Sequence, residues 1–194
     1  MSLLFLGPAE SNLLPFLREQ KEAVIQVSDP ISADLLEKHP IEFIVSYGFR
    51  HIIREPFLSE FAGRIINLHI SLLPWNRGAD PNFWSFVNQT PHGVSIHQVD
   101  QGVDTGPILL QEEVKLDEDG TLRPTYRTLQ ERSESLFQKN YKGLREQSIE
   151  PRPQVGLGSE HRAAEKLPYI DGFEDIWLDL PIAQLLREVR DRGE

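Results

Sequence analysis

The first half of the chain alternates short apolar runs with segments whose apolar residues recur at helical spacing. Four runs have the length and composition of buried strands: 3–6, 23–27, 43–47 and 64–68. Leu13, Leu14 and Leu17 fall on one side of a helix that Ser11 or Asn12 would cap. A second short helix is predicted from Ser32. Strands separated by helices favour βαβ units and a mostly parallel sheet.

The second half adds two strands before the pattern becomes helical. Residues 94–99 alternate between apolar and polar side chains, and residues 108–114 do so less strictly. Apolar residues at helical spacing predict a long helix from Thr121 to about Leu144. Prolines and glycines make 149–158 an extended linker.

A final helix is predicted over residues 182–190, with Pro181 at its first turn. From these patterns we expect an α/β catalytic domain over residues 1–146. Residues 147–194 would form a short C-terminal extension, linker plus helix, packed on that domain.

Composition narrows the class of protein. The 194 residues are 39% hydrophobic, so a packed core is expected, and 20 basic against 30 acidic residues give a net charge of −10. That charge disfavours nucleic acid as a partner. The chain has no cysteine, which excludes disulfides and cysteine-ligated zinc. No apolar run approaches the roughly 20 residues of a membrane helix, so we expect a cytoplasmic protein without membrane insertion.

Reactive side chains concentrate between residues 67 and 104. Asn67 and His69 stand two apart at the end of a strand, so their side chains point to the same side. A turn with two glycines and two carboxylates follows at 100–106. Each piece also has a structural interpretation, since such a pair can stabilise a strand end and an Asp-Gly sequence is a common turn.

Three histidines raise the question of a metal site. His92 and His97 are five residues apart, which a strand would send to opposite faces, and neither has a metal-motif spacing to His69. We therefore predict no metal. The acidic residues between 112 and 119 are interpreted as a solvated face.

Two motifs carry a resemblance to a known family. The sequence Asn-Leu-His-Ile-Ser-Leu-Leu-Pro at 67–74, followed by Gly-Val-Asp-Thr-Gly at 102–106, resembles the formyltransferase superfamily that uses 10-formyltetrahydrofolate. This superfamily includes glycinamide ribonucleotide and methionyl-tRNA formyltransferases, and the resemblance reaches to about residue 140. Segments 47–53, 77–84 and 154–161 look most like the short bacterial members that formylate nucleotide-linked amino sugars.

The resemblance implies an enzyme with a Rossmann-like fold, a mostly parallel twisted sheet flanked by helices. By the same resemblance, Asn67 and His69 would donate hydrogen bonds to the oxyanion of the tetrahedral intermediate. Asp104 would orient His69 and help to remove the proton of the amine, directly or through water. The co-substrate would be 10-formyltetrahydrofolate, and the partner a small-molecule amine.

The resemblance also suggests which residues line the two ligand pockets. The folate pocket would be formed by Phe49, Arg50, His51, Ile52, Ile53, Val99, Asp100, Gln101, Gly102 and Val103. Core packing explains Ile52 and Ile53 equally well. The amine cleft would be bordered by Ser71, Trp75, Asn76, Arg77 and Asp80.

Several of these positions have alternative interpretations. Arg77 would either bind an anionic group of the substrate or form an ion pair with Asp80. Ser71 would have a structural role in its loop. Trp84 suits either stacking on a ligand or packing in the core. His161 is taken by default as a surface residue.

Differences from the larger family members favour the amino-sugar acceptor. Pro8 and Glu10 stand where glycinamide ribonucleotide enzymes have a glycine-rich phosphate loop, and both disfavour an anion there. For a chain of 194 residues with a net charge of −10, we do not expect the extra domain and basic surface of the tRNA enzymes. The alternatives are a 10-formyltetrahydrofolate hydrolase, formylation of glycinamide ribonucleotide and, more remotely, a non-catalytic folate- or nucleotide-binding module. Apolar residues between 176 and 186 suggest a homodimer.

Overall fold

A computed structural model describes residues 2–192, and its strands confirm the predicted alternation. Predicted strand ends agree with the observed ones to within two residues. The strands are β1 (Ser2–Leu6), β2 (Ala23–Val27), β3 (Ile41–Tyr47), β4 (Ile65–His69), β5 (Arg77–Gly78), β6 (Gly93–Gln98), β7 (Ile108–Glu113) and β8 (Glu160–His161).

The predicted helices are present, together with short ones that the pattern does not predict. The α-helices are α1 (Leu13–Glu19), α2 (Asp34–Lys38), α3 (Phe57–Glu60), α4 (Pro81–Val87), α5 (Leu122–Arg145), α6 (Leu167–Ile170) and α7 (Ile182–Arg192), with 3₁₀ turns at Ala163–Lys166 and Trp177–Asp179. Between α5 and β8, residues 150–159 lie outside helices and strands, apart from an isolated bridge at Arg152, where an extended linker was predicted over 149–158. Across residues 2–192, every helix is too short or too polar to span a bilayer.

Six strands form the main sheet in the order β2-β1-β3-β4-β6-β7, while β5 pairs with β8. The pairs β1–β2, β1–β3 and β3–β4 are parallel. Helices α1, α2 and α3 lie in the successive connections from β1 to β4. Parallel strands are covered on both faces, which explains why they appear in the sequence as continuous apolar runs. The α/β fold with a mostly parallel sheet is therefore confirmed.

The chain divides into two compact units. Among the described residues, the first unit comprises 2–69, 96–110 and 134–153, and the second comprises 70–95, 111–133 and 154–192. The predicted division at residue 146 stays a prediction, and residues 1, 193 and 194 of its ranges lie outside the described part of the chain.

The first unit has one apolar cluster on each face of the sheet. Leu3 and Phe5 of β1 belong to a cluster with α1 and the C-terminal half of α5, whereas Leu4 and Leu6 belong to a cluster with α3. Strand alternation causes this division, because successive side chains point to opposite faces. On β4, Ile66 joins the first cluster, so Asn67 lies on the other face.

The second unit has its own apolar cluster, built mainly on α4 and α7. Phe83 and Trp84 are buried against Ile182 and Leu185 of the final helix. The apolar C-terminal residues that suggested a homodimer thus mostly pack inside this unit, and Ile176 is the exception at 52% exposure. The homodimer itself stays an untested prediction.

Candidate active site

The site begins at the ends of two neighbouring strands of the first unit. Asn67 and His69 are at the end of β4, and His97 is the next-to-last residue of β6. Ile96 packs in the cluster on the opposite face, so alternation turns His97 toward the face that carries Asn67 and His69. The carboxyl ends of strands are where α/β sheets place ligands, which agrees with this location.

The loop after β6 brings Asp104 to the same face. Asp100 stabilises the start of this loop, because its carboxylate accepts hydrogen bonds from Gly102 N at 3.0 Å and from the Thr105 hydroxyl at 2.6 Å. Gly106 passes so close to β6 that an added Cβ would lie 1.8 Å from the carbonyl oxygen of Gln98. Asp104 itself has φ of 52°, a left-handed conformation that Asp tolerates better than most residues.

Three polar side chains surround the Asp104 carboxylate. Asn67 Nδ2 donates to Oδ1 at 3.0 Å, and His97 Nε2 lies 3.3 Å from the same oxygen. His69 Nδ1 lies 3.5 Å from Oδ2. The structure therefore brings the three predicted catalytic residues together within one unit. The Asp104 side chain is 14% exposed, so a ligand can reach the carboxylate while bulk water screens it little.

His97 belongs to this cluster, although its spacing in the sequence raised only the question of a metal site. It is 2% exposed and also contacts Asn67 Nδ2 at 3.2 Å. The available signal was the alternation of 94–99, which places His97 on one face at the end of a strand. Among the described residues, no group of three or more histidines and carboxylates is arranged to hold a metal ion.

The predicted folate-pocket residues occupy two loops of the first unit. Ile53 is 7% exposed and packs in the α3 cluster, together with the half-buried Phe49 and Val99. Ile52, by contrast, is 62% exposed. The other exposed positions are Arg50, His51, Asp100, Gln101, Gly102 and Val103. Ile53 is therefore a core residue. Ile52 is exposed and accessible to a ligand.

The predicted amine-cleft residues lie in the second unit, where several are bonded within their own loops. The Ser71 hydroxyl donates to the carbonyl of Trp75 at 2.8 Å, in agreement with a structural role. Asn76 is completely buried, and its amide donates to Thr90 at 2.7 Å and accepts from Ser159 at 3.1 Å. Trp75 is 38% exposed and so remains accessible to a ligand.

Arg77 and Asp80 do not pair with each other. Arg77 donates from Nε and Nη2 to the side-chain oxygen of Gln154, at 2.9 and 2.8 Å. Asp80 instead forms an ion pair with Lys166, whose ammonium lies 2.8 Å away. The guanidinium is thus held in a fixed orientation by a neutral amide, and this contact leaves its positive charge uncancelled.

His161 is not the surface residue of the default interpretation. Its ring stacks on Trp84 with centroids 4.0 Å apart, and its side chain is 13% exposed. Asn88 and Glu165 lie at hydrogen-bonding distance from its two ring nitrogens, at 3.0 and 3.2 Å. Trp84 is accordingly a packing residue, 4% exposed.

Comparison with known proteins identifies the family. The sequence pattern of the family described as formyl transferase matches residues 14–140. The chain is 35% identical over 115 residues to phosphoribosylglycinamide formyltransferase of Bacillus subtilis, a match covering 59% of this chain and 57% of the relative. It is 34% identical over 139 residues to methionyl-tRNA formyltransferase of Clostridium tetani, covering 71% and 42%. The chain thus spans about half of the length of these curated relatives.

A solved structure matches almost the whole chain. The crystal structure of the formyltransferase PseJ from Anoxybacillus kamchatkensis superposes with a TM-score of 0.90 at 40% identity, covering 97% of this chain and 100% of that one. PseJ was solved in complex with UDP-4,6-dideoxy-4-formamido-L-AltNAc and tetrahydrofolate. The sequence match and the agreement in fold lead to one conclusion: this chain belongs to the formyl transferase family.

Proposed function

We propose that the protein transfers a formyl group from 10-formyltetrahydrofolate to the amine of a nucleotide-linked amino sugar. The observation that carries this proposal is the contact of Asn67 and His69 with the single carboxylate of Asp104. Membership of the formyl transferase family supports the reaction. The likeness to PseJ, which was solved with a formamido UDP-sugar and tetrahydrofolate, supports the class of acceptor.

The reaction needs a base for the amine and donors for the oxyanion. Asp104 would accept a proton from the attacking amine, directly or through one water molecule. Because Nδ1 of His69 faces Asp104, His69 would reach the oxyanion through Nε2. A histidine that donates from both nitrogens is an imidazolium, and its charge would add to the stabilisation of the oxyanion. Asn67 would supply the second donor.

Arg77 would bind the phosphates of the nucleotide. Gln154 already fixes the plane of its guanidinium, so little rotational freedom is lost when an anion binds. The remaining N–H groups suit the paired oxygens of a phosphate. The Asn76 amide, in contrast, has both of its ends bonded inside the second unit, so we assign it to the support of this loop.

The test is a formyl-transfer assay with mass detection. 10-Formyltetrahydrofolate is incubated with UDP- and dTDP-linked 4-amino-4,6-dideoxysugars, with glycinamide ribonucleotide, and without an acceptor. A formylated sugar that disappears in the Asp104→Asn variant is the expected result. Tetrahydrofolate released equally without an acceptor would mean hydrolysis. A formylated glycinamide ribonucleotide would overturn the acceptor class, and binding of folate without any turnover would indicate a non-catalytic module.

Arg77→Gln tests the assignment of the phosphate contact. We expect KM for the nucleotide sugar to rise about 10- to 100-fold with little change in KM for 10-formyltetrahydrofolate, since a charge-assisted hydrogen bond contributes about 1.5–3 kcal/mol. Arg123→Gln is the matched control, because that arginine pairs with Asp179 on an exposed surface. An unchanged KM would remove Arg77 from the acceptor site.

We further infer a cytoplasmic enzyme whose partners are small molecules rather than nucleic acid. The net charge of −10 supports this inference, because an acidic surface repels phosphate backbones. Light scattering tests the predicted homodimer, for which a monomer mass is the contradicting result.

A further inference from the structure

His97 is a buried histidine with no role in the reaction steps proposed for Asn67, His69 and Asp104. Its side chain is 2% exposed, and each of its ring nitrogens has a polar neighbour. Nδ1 lies 2.8 Å from the carbonyl oxygen of Gln98, while Nε2 lies 3.2 Å from Asn67 Nδ2 and 3.3 Å from Asp104 Oδ1. The position of the protons on this ring decides which of these contacts is a hydrogen bond.

The Gln98 carbonyl fixes the tautomer. A carbonyl oxygen only accepts, so Nδ1 of His97 carries a proton and donates it. In the neutral ring, Nε2 then carries a lone pair, which accepts a hydrogen bond from Asn67 Nδ2. The carboxylate of Asp104 accepts the other amide hydrogen of Asn67.

This count creates a conflict with the proposed reaction. An asparagine amide has two N–H groups, and while the His97 ring is neutral, one goes to Asp104 and the other to His97. Asn67 then has no N–H left for an oxyanion. The conflict disappears when Nε2 of His97 is protonated, since the ring then donates to Asp104 and no longer accepts from Asn67.

We propose that His97 is a positioning residue whose protonation at Nε2 releases an N–H of Asn67 for the oxyanion. This inference rests on the proposed formyl transfer. Protonation of His97 would link removal of the amine proton to stabilisation of the oxyanion, because the proton that leaves the amine would itself free the N–H of Asn67. Asp104, which contacts both His97 and Asn67, connects the two events.

The proton balance closes over one turnover. The amine nitrogen forms its bond to the formyl carbon and loses a proton to Asp104, which passes it to Nε2 of His97. When the tetrahedral intermediate collapses, the C–N bond to tetrahydrofolate breaks and its electron pair stays on that nitrogen. The proton then returns from His97 through Asp104 to the same nitrogen, so no other acid, base or oxidant is consumed.

The surroundings of His97 define which groups affect its titration. Asp104 is the carboxylate that faces it, from the loop after β6. His69 on β4 is the other titratable neighbour, with ring centroids 6.4 Å apart at 87°. Asn67 and the Gln98 carbonyl are polar and uncharged. The proton that His97 takes up therefore lies against the carboxylate of Asp104, and His69 is the neighbouring ring that shares this carboxylate.

The kinetic test replaces His97 by a residue that forms hydrogen bonds but does not titrate. For His97→Gln we expect KM for both substrates to change less than about 3-fold and kcat to fall by up to about 10²-fold, the lower end of the cost of losing one oxyanion donor. The pH profile of kcat should change shape, because the ring that takes up the proton is absent from the variant. His39→Gln, in the same unit, is the matched control.

Two kinetic outcomes would overturn the proposal. One is a variant with an unchanged kcat. The other is a lower kcat whose pH profile keeps the wild-type shape, because a purely structural effect would scale the profile without changing its shape. Circular dichroism and thermal melting of both variants verify that they fold.

A second measurement does not depend on turnover. Nitrogen-15 NMR of the wild-type protein without ligands reads the tautomer of each histidine directly. We expect neutral His97 to carry its proton on Nδ1, and a proton on Nε2 of the neutral ring would overturn the inference. If the wild-type protein formylates none of the acceptors, the proposed function fails, whereas the tautomer and hydrogen-bond count remain open to this separate test.

Discussion

In the first unit, Asn67, His69 and His97 direct their polar atoms toward one carboxylate that remains partly exposed to a ligand. In the second unit, Asn76 has its amide bonded at both ends inside the fold. His161 likewise has neighbours at both nitrogens. Asparagine and histidine therefore have different roles in the two units. A regular sheet stabilises itself through backbone hydrogen bonds and leaves polar side chains free for chemistry, whereas irregular loops need them for support.

Each unit has its own apolar core. Leu17 in the first unit is 0% exposed and Leu185 in the second is 1% exposed. Leu17→Ala and Leu185→Ala should each lower the free energy of unfolding by about 2–5 kcal/mol, through lost burial and the cavity left behind. Urea unfolding followed by circular dichroism measures this loss. Leu157→Ala, at a position 97% exposed, is the matched control, with a change within about 0.5 kcal/mol.

The two asparagines test the comparison most directly. Asn67→Ala should lower kcat about 10²- to 10³-fold, the usual effect of removing one oxyanion donor, with a small change in stability. Steady-state kinetics and thermal melting measure the two effects on the same samples. A full kcat with a strongly reduced melting temperature would mean that Asn67 supports the fold instead.

Asn76→Ala should have the opposite result. Loss of its two buried side-chain hydrogen bonds, with Thr90 and Ser159 left behind, should lower the free energy of unfolding by about 2–3 kcal/mol. The kcat of the folded fraction should be little changed. Asn12→Ala, at an exposed position, is the matched control, measured in the same urea titration. If Asn76→Ala instead raised KM for the acceptor without a loss of stability, Asn76 would be a substrate contact.

The smallest expected effect concerns His92 in the second unit. Burial lowers the pKa of His92 below its ordinary value of 6.5, and the nearby Glu118 opposes part of this shift. The unfolded chain then binds the proton more readily, so stability is present above about pH 6.5 and is lost as the pH falls toward the folded-state pKa.

Replacement of His92 should remove this pH dependence. The difference in melting temperature between about pH 7.5 and 5.5 should be smaller in His92→Gln than in the wild type. His39→Gln again serves as control and should keep the wild-type slope. An equal slope in His92→Gln would show that His92 does not contribute to the acid sensitivity.

Local pattern was sufficient for the six strands of the main sheet. The roles of Asn67, His69 and Asp104 came from the resemblance to a known family, and His97 was not predicted as a member of the site. Apolar runs predict β1 to β4 because burial on two faces demands them, and period-two alternation predicts β6 and β7. Helix α4 was not predicted, since its seven residues begin at Pro81 after Asp80, which has a left-handed φ of 52°. Such a short segment has too few turns to display a periodicity.

The sequence by itself determined the fold class, the six strands of the main sheet and the presence of Asn67, His69 and Asp104 in neighbouring motifs, but not the short strands β5 and β8. Only the tertiary structure decided which polar partners these and other residues meet. Arg77 meets Gln154, and His161 meets Trp84, across 77 residues in each case. Contacts of this kind depend on how loops close, and no local periodicity encodes them. His97 became a member of the site for the same reason, because its role follows from the atoms that face its two nitrogens.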